Sequence, residues 1–122
     1  MNLARFERYA GAPQRSMHYF RLDNFDYLGK NTEGEDEIAV WTGVNELYLL
    51  TLAKPCTQVE FADAIGLTST SGDVNAGMDF VKYNRGGSQQ CRIDTIRKVD
   101  YKAMQTAGAL AVEAGRATDD AH

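Results

Sequence analysis

The chain has 122 residues and a mass of 13.5 kDa, with 43% apolar and 25% charged residues and a net charge of −4. These values describe one globular domain and exclude a disordered, collagen-like or fibrous chain. No apolar run approaches the ~20 residues that span a bilayer, and residues 1–8 lack the apolar stretch of a secretory signal, so neither a membrane nor an exported protein is expected. Charge is unevenly spread: residues 1–22 carry four arginines against Glu7, a net +3, and residues 23–40 carry six acids against Lys30, a net −5.

Leu3, Phe6, Tyr9 and Ala10 recur at near-helical spacing until Gly11 and Pro13, so residues 1–16 read as a short helix or an N-terminal arm. Residues 17–22 and 37–42 are rich in strand formers and predict an antiparallel β-hairpin joined by a long acidic loop, 23–36. The acids of that loop do not follow the calcium-loop spacing, so a solvated loop is expected. A negative surface that repels or mimics nucleic acid is the alternative. Residues 43–66 read as two helices. Asn45 caps the first and Pro55 stops it; Thr57 and Glu60 form a capping box for the second, which Gly66 ends.

Residues 67–85 admit two readings. One is a helix capped by Ser71, with Val74, Met78 and Val81 inward. The other is a strand, 78–83, that turns through 84–87 and pairs with 91–96. Residues 91–99 read as strand in both. Asp100 caps a last helix from Tyr101 to about Ala114, whose Ala103, Ala107, Ala111 and Ala114 suit close helix contact in a homodimer. Residues 115–122 read as a flexible tail of the single domain 1–122.

The inventory for chemistry is thin. His18 is the one histidine besides the terminal His122, and no spacing joins it to a nucleophile. Two cysteines, Cys56 and Cys91, cannot make a zinc site and read as reduced, buried thiols of a cytoplasmic protein, with a disulfide as the alternative. The hydroxyl-rich loop 66–72 lacks the lysine of a phosphate-binding loop. Neither enzymatic activity nor a cofactor or metal is expected.

Residues 47–100 resemble a winged helix-turn-helix domain. Residues 47–53 stand for the first helix and 57–67 for the positioning helix, with Ala62 at the crossing and Gly66 in the turn. Residues 71–83 would be the recognition helix and 91–99 the wing. The resemblance implies an α+β fold, with the N-terminal hairpin before the winged-helix centre and the C-terminal helix after it. It also implies a small, dimeric DNA-binding regulator. Asn75, Lys82, Arg85, Arg92, Arg97 and Lys98 are the residues available to touch DNA. Winged helices also serve as protein-binding modules. The second expectation is therefore a protein-binding inhibitor or assembly factor, acting through the acidic loop or the last helix.

Overall fold

The computed structural model describes residues 2–108. In chain order these form α1 (Asn2–Arg8), β1 (Ala10–Gln14), β2 (Ser16–His18), β3 (Asn24–Lys30), β4 (Asp36–Gly43) and β5 (Glu46–Leu52). A 3₁₀ turn (Val59–Phe61) follows, then β6 (Gly66–Leu67), β7 (Asp73–Asn75), β8 (Phe80–Asn84), β9 (Ser88–Val99) and a final helix α2, described over residues 101–108. The strands build one curled antiparallel half-barrel in the order β3-β4-β5-β9-β8-β6, with β1 also on β9. A separate ladder pairs β2 with β7.

The fold is mostly β, and this overturns the winged-helix-like α+β expectation. The reason lies in β4 and β5. Ile38, Val40, Tyr48, Leu50 and Leu52 point into the half-barrel and pack with Val81, Ile93 and Ile96. Ala39, Leu47 and Leu49 point outward and are covered by Leu3 and Phe6 of α1 and Met104 of α2. A strand buried on both faces loses its period of two and reads as a continuous apolar run. Residues 47–52 are such a run, which is why they mimic a helix.

The other differences have local causes. No capped helix starts at Thr57: Gln58 is left-handed (φ 59°), and only one 3₁₀ turn follows. The Tyr83 hydroxyl donates to the Thr57 carbonyl at 2.6 Å and Val59 is buried in the core, so this segment is shaped by tertiary contacts. Residues 71–83 form no recognition helix. Gly72 and Gly77 hold positive φ (85° and 80°), and the buried Asp79 accepts from the Asn75 amide (2.7 Å) and the Thr68 hydroxyl (2.7 Å), closing a turn between β7 and β8. The hairpin reading of this stretch is the one that holds, with Phe80 opposite Arg92 and Asn84 opposite Ser88. Residues 17–22 do not pair with 37–42. The partner of β4 is β3, which lies inside the segment read as acidic loop. The Asp100 cap is present, its Oδ1 accepting from the Ala103 amide at 3.1 Å. Ala111, Ala114 and the tail 115–122 lie outside the described residues.

The inner end of the half-barrel is closed by a buried polar contact and a covalent one. Asp36, 1% exposed, accepts from the Tyr27 hydroxyl (2.6 Å) and the Lys30 ammonium (2.9 Å). Burial and that carboxylate push the Tyr27 phenol far up, and the bond to Asp36 raises Lys30. Cys56 and Cys91 are joined in a disulfide, with Cα atoms 5.4 Å apart, instead of standing as free thiols. The bridge ties residues 53–66, which cover the inner core, to the central strand.

Closing a loop between cysteines 35 positions apart in sequence stabilises the chain by about 4 kcal/mol through the entropy of the unfolded state. Cys56→Ala with Cys91→Ala is therefore expected to lower the free energy of unfolding by about that amount. Thiol titration of the denatured, unreduced protein is expected to find no reactive cysteine. Two reactive thiols would contradict the pairing.

Candidate binding cleft on the outer face

The two helices cover the outer face of the sheet over Ala39, Leu47, Leu49 and Val99, and a row of polar side chains lies beside the covered part. Glu37 of β4 stands opposite Thr51 of β5, and Thr51 stands opposite Thr95 of β9. These three make a polar row across three adjacent strands. The rows on one side, Ala39–Leu49 and Trp41–Leu47, are apolar and lie under α1 and α2. Above the polar row opens a cleft of about 550 Å³, walled by Glu7 of α1, by residues 11–13 of β1 and by the β3–β4 turn.

The turn is built by Asn31. Its Oδ1 accepts from the Glu33 and Glu35 amides at 2.9 and 3.0 Å, while its own amide donates to the Glu35 carbonyl at 2.9 Å. This side-chain-to-backbone pattern is the reason asparagine suits such turns. It also aims the Asn31 Nδ2 at Glu37 Oε2, 2.7 Å away. The Thr51 hydroxyl lies 2.9 Å from both Glu37 oxygens and donates to them. Glu37 is thus held rigidly on the floor, only 3% exposed. Burial pushes its carboxyl above the usual glutamate range, against the lowering effect of the Asn31 and Thr51 hydrogen bonds.

Charge in the cleft is lopsided. Glu7, Glu33, Glu35 and Glu37 line it against one cation, Arg97. The Arg97 Nε is already used, donating to the Gly11 carbonyl at 2.9 Å. The walls therefore favour a positively charged group. No three or more His, Cys, Asp or Glu among the described residues are arranged to hold a metal ion.

The six residues expected to touch DNA are not brought together. Asn75 faces Asp79 and serves the β7–β8 turn. Lys82 and Arg92 are exposed on the outside of the β8–β9 hairpin, and Arg85 at its tip lies 5.5 Å over the Phe61 ring. Arg97 walls the acidic cleft and Lys98 lines a different one. Simple alternation would put Arg92 and Lys98 on one face. The register shift between β5 and β9 breaks that: Ile93 and Ile96 both point inward, so Arg97 turns outward with Arg92 and Lys98 turns in over the Tyr48 ring, 5.9 Å away. His18 sits on the surface, 3.4 Å from Asp73.

The sequence shows the acids at 33–37 and turn chemistry at 28–31 and 33–34, but it gives Asn31 no role in a site and does not point to Thr51 or Thr95. Thr51 was hidden by the helical reading of its strand.

Residues 1–115 match the family described as "Family of unknown function (DUF6491)", and the chain belongs to that family. No curated protein and no solved structure matches it.

The raised Glu37 carboxyl has a pH signature. Below the ordinary glutamate range both folded and unfolded chains hold the proton, and Glu37 contributes no pH dependence to stability. As pH rises, the unfolded chain ionises first, so stability falls until the folded carboxyl ionises too. Glu37→Gln keeps the shape, and its amide can accept from Asn31 and donate to the Thr51 oxygen. The stability difference between wild type and variant is expected to shift in the variant's favour as pH rises from about 4 to 7. Denaturation curves across that range check it, and a difference that stays flat or moves the other way contradicts it.

Proposed function

We propose that this protein is a non-enzymatic binding module that takes a cationic side chain of a partner protein into the acidic cleft beside β1. The observation that carries the reading is the Glu37 carboxyl, fixed on the cleft floor by Asn31 and Thr51 and surrounded by the carboxylates of Glu7, Glu33 and Glu35. A buried carboxylate that no ion pair among the described residues neutralises costs free energy. A lysine or arginine from a partner offsets that cost. The cleft is roughly the size of a small-ligand site, large enough for one extended side chain and its neighbours. This is the protein-binding expectation of the acidic segment, now given a floor and walls. The DNA-binding alternative loses support, because its residues are scattered and the helix that would have read bases is a pair of strands.

Binding suits the site better than proton transfer. Both Glu37 oxygens are occupied by fixed donors, Asn31 and Thr51. The Cys56–Cys91 bridge supports a compartment that does not reduce disulfides, in place of the cytoplasm. No helix among the described residues is long and apolar enough to cross a membrane.

The test uses a short peptide with one central lysine, its alanine counterpart and its glutamate counterpart, titrated into the full chain. The lysine peptide is expected to bind, more weakly as salt rises, and more weakly below the raised Glu37 titration, where the carboxyl is neutral. Glu37→Gln is expected to weaken it by about tenfold, the size of one charge-assisted hydrogen bond. Equal binding of lysine and glutamate peptides, or binding unchanged in Glu37→Gln, would refute the reading.

A further inference from the structure

A second cleft, of about 650 Å³, opens at the start of β1, between the end of α1 and the first turn of α2. Its lining is of opposite character. Arg8, Lys98 and Lys102 contribute three cations, all on exposed residues. Among the described residues none of them forms an ion pair. The one carboxylate in the lining, Asp100, is spent on capping α2, its Oδ1 bound to the Ala103 amide.

Two tyrosines complete the lining, Tyr9 and Tyr101. Tyr101 packs edge-on against Trp41, 6.1 Å between ring centres, and Trp41 in turn packs edge-on against Phe6. The ring is therefore a fixed wall. Lys98 enters the lining from the end of β9, with its ammonium 5.9 Å from the centre of the Tyr48 ring. Cations with no partner charge, fixed aromatic walls and a volume within the usual range for small-molecule sites meet in one place.

We propose that this cleft binds a small anion with a flat body, an aromatic phosphate monoester or carboxylate. The cations take the anionic group and the tyrosines take the body. The two clefts share Ala10 and Gly11 as a common wall but differ in sign, so this site stands or falls without the acidic one.

Phenyl phosphate is the probe, titrated into the full chain and followed by backbone amide shifts. Inorganic phosphate and benzyl alcohol are run in parallel, and phosphatidylserine-doped vesicles are compared with phosphatidylcholine vesicles. Saturable shifts confined to residues 8–11 and 98–102 are expected, with phenyl phosphate binding more tightly than either fragment. The double variant Lys98→Gln, Lys102→Gln is expected to weaken binding at least tenfold, since each charge-assisted contact is worth about that factor. Lys82→Gln, outside the cleft, is expected to change nothing. Both variants alter exposed residues, and unchanged thermal midpoints confirm their folding. Binding to the doped vesicles alone, lost in the double variant, supports the site with a lipid headgroup as the source of the anion. Phenyl phosphate binding that survives the double variant overturns the proposal. So does the absence of saturable binding to both phenyl phosphate and the doped vesicles.

Discussion

The register shift between β5 and β9 is the constraint on which the rest depends. Thr51 pairs with Thr95, yet the next residue, Leu52, pairs with Ile93. One extra residue in β9 lets Ile93 and Ile96 both enter the core, although they are an odd number apart. Such a bulge sharpens the local twist and bends the strand. The two halves of β9 can then serve different neighbours: its first half pairs with β8 and its second half with β5 and β1. Without the shift, Thr95 and Arg97 would turn inward against the apolar core, and the acidic cleft would lose its far wall.

The energetic division follows from this geometry. The inner core and the outer, helix-covered core are separate clusters, and β4 and β5 contribute to both. Burial on both faces packs these two strands closely, and Glu37 is held there by two hydrogen-bond partners, Asn31 and Thr51. Glu37 is at the end of β4, where α1 no longer covers the outer face. A polar row there leaves fewer apolar side chains to bury, but the hydrogen bonds from Asn31 and Thr51 offset part of the cost of dehydrating the carboxyl. Sites whose local chemistry opposes stability are where function is most often found.

How much was legible in the sequence depended on whether one neighbourhood decided the outcome. The strand at 91–99 and the Asp100 cap rest on alternation and on one side chain, and both are present. Leu3 and Phe6 form the buried side of α1 at helical spacing. By contrast, Leu47-Tyr48-Leu49-Leu50 has no alternation because both its sides are covered, so a strand passed for a helix. Thr57 and Glu60 satisfy a capping pattern locally, but the Cys56–Cys91 bridge and the bond from Tyr83 override it. The winged-helix resemblance depended on these two stretches and falls with them. Of the candidate site, the acids at 33–37 were visible as charge. Their shared cleft was not, because Thr51 and Thr95 join it only through pairing across three strands.

On the proposed function, the buried Glu37 carboxyl takes up a partner's cation. A carbon-detected pH titration of its side-chain carboxyl, with and without the lysine peptide, tests it at the atom concerned. In the free protein the midpoint is expected above the ordinary glutamate range, and added peptide is expected to move it down as the cation stabilises the ionised form. A midpoint within the ordinary range that the peptide leaves in place would contradict the account.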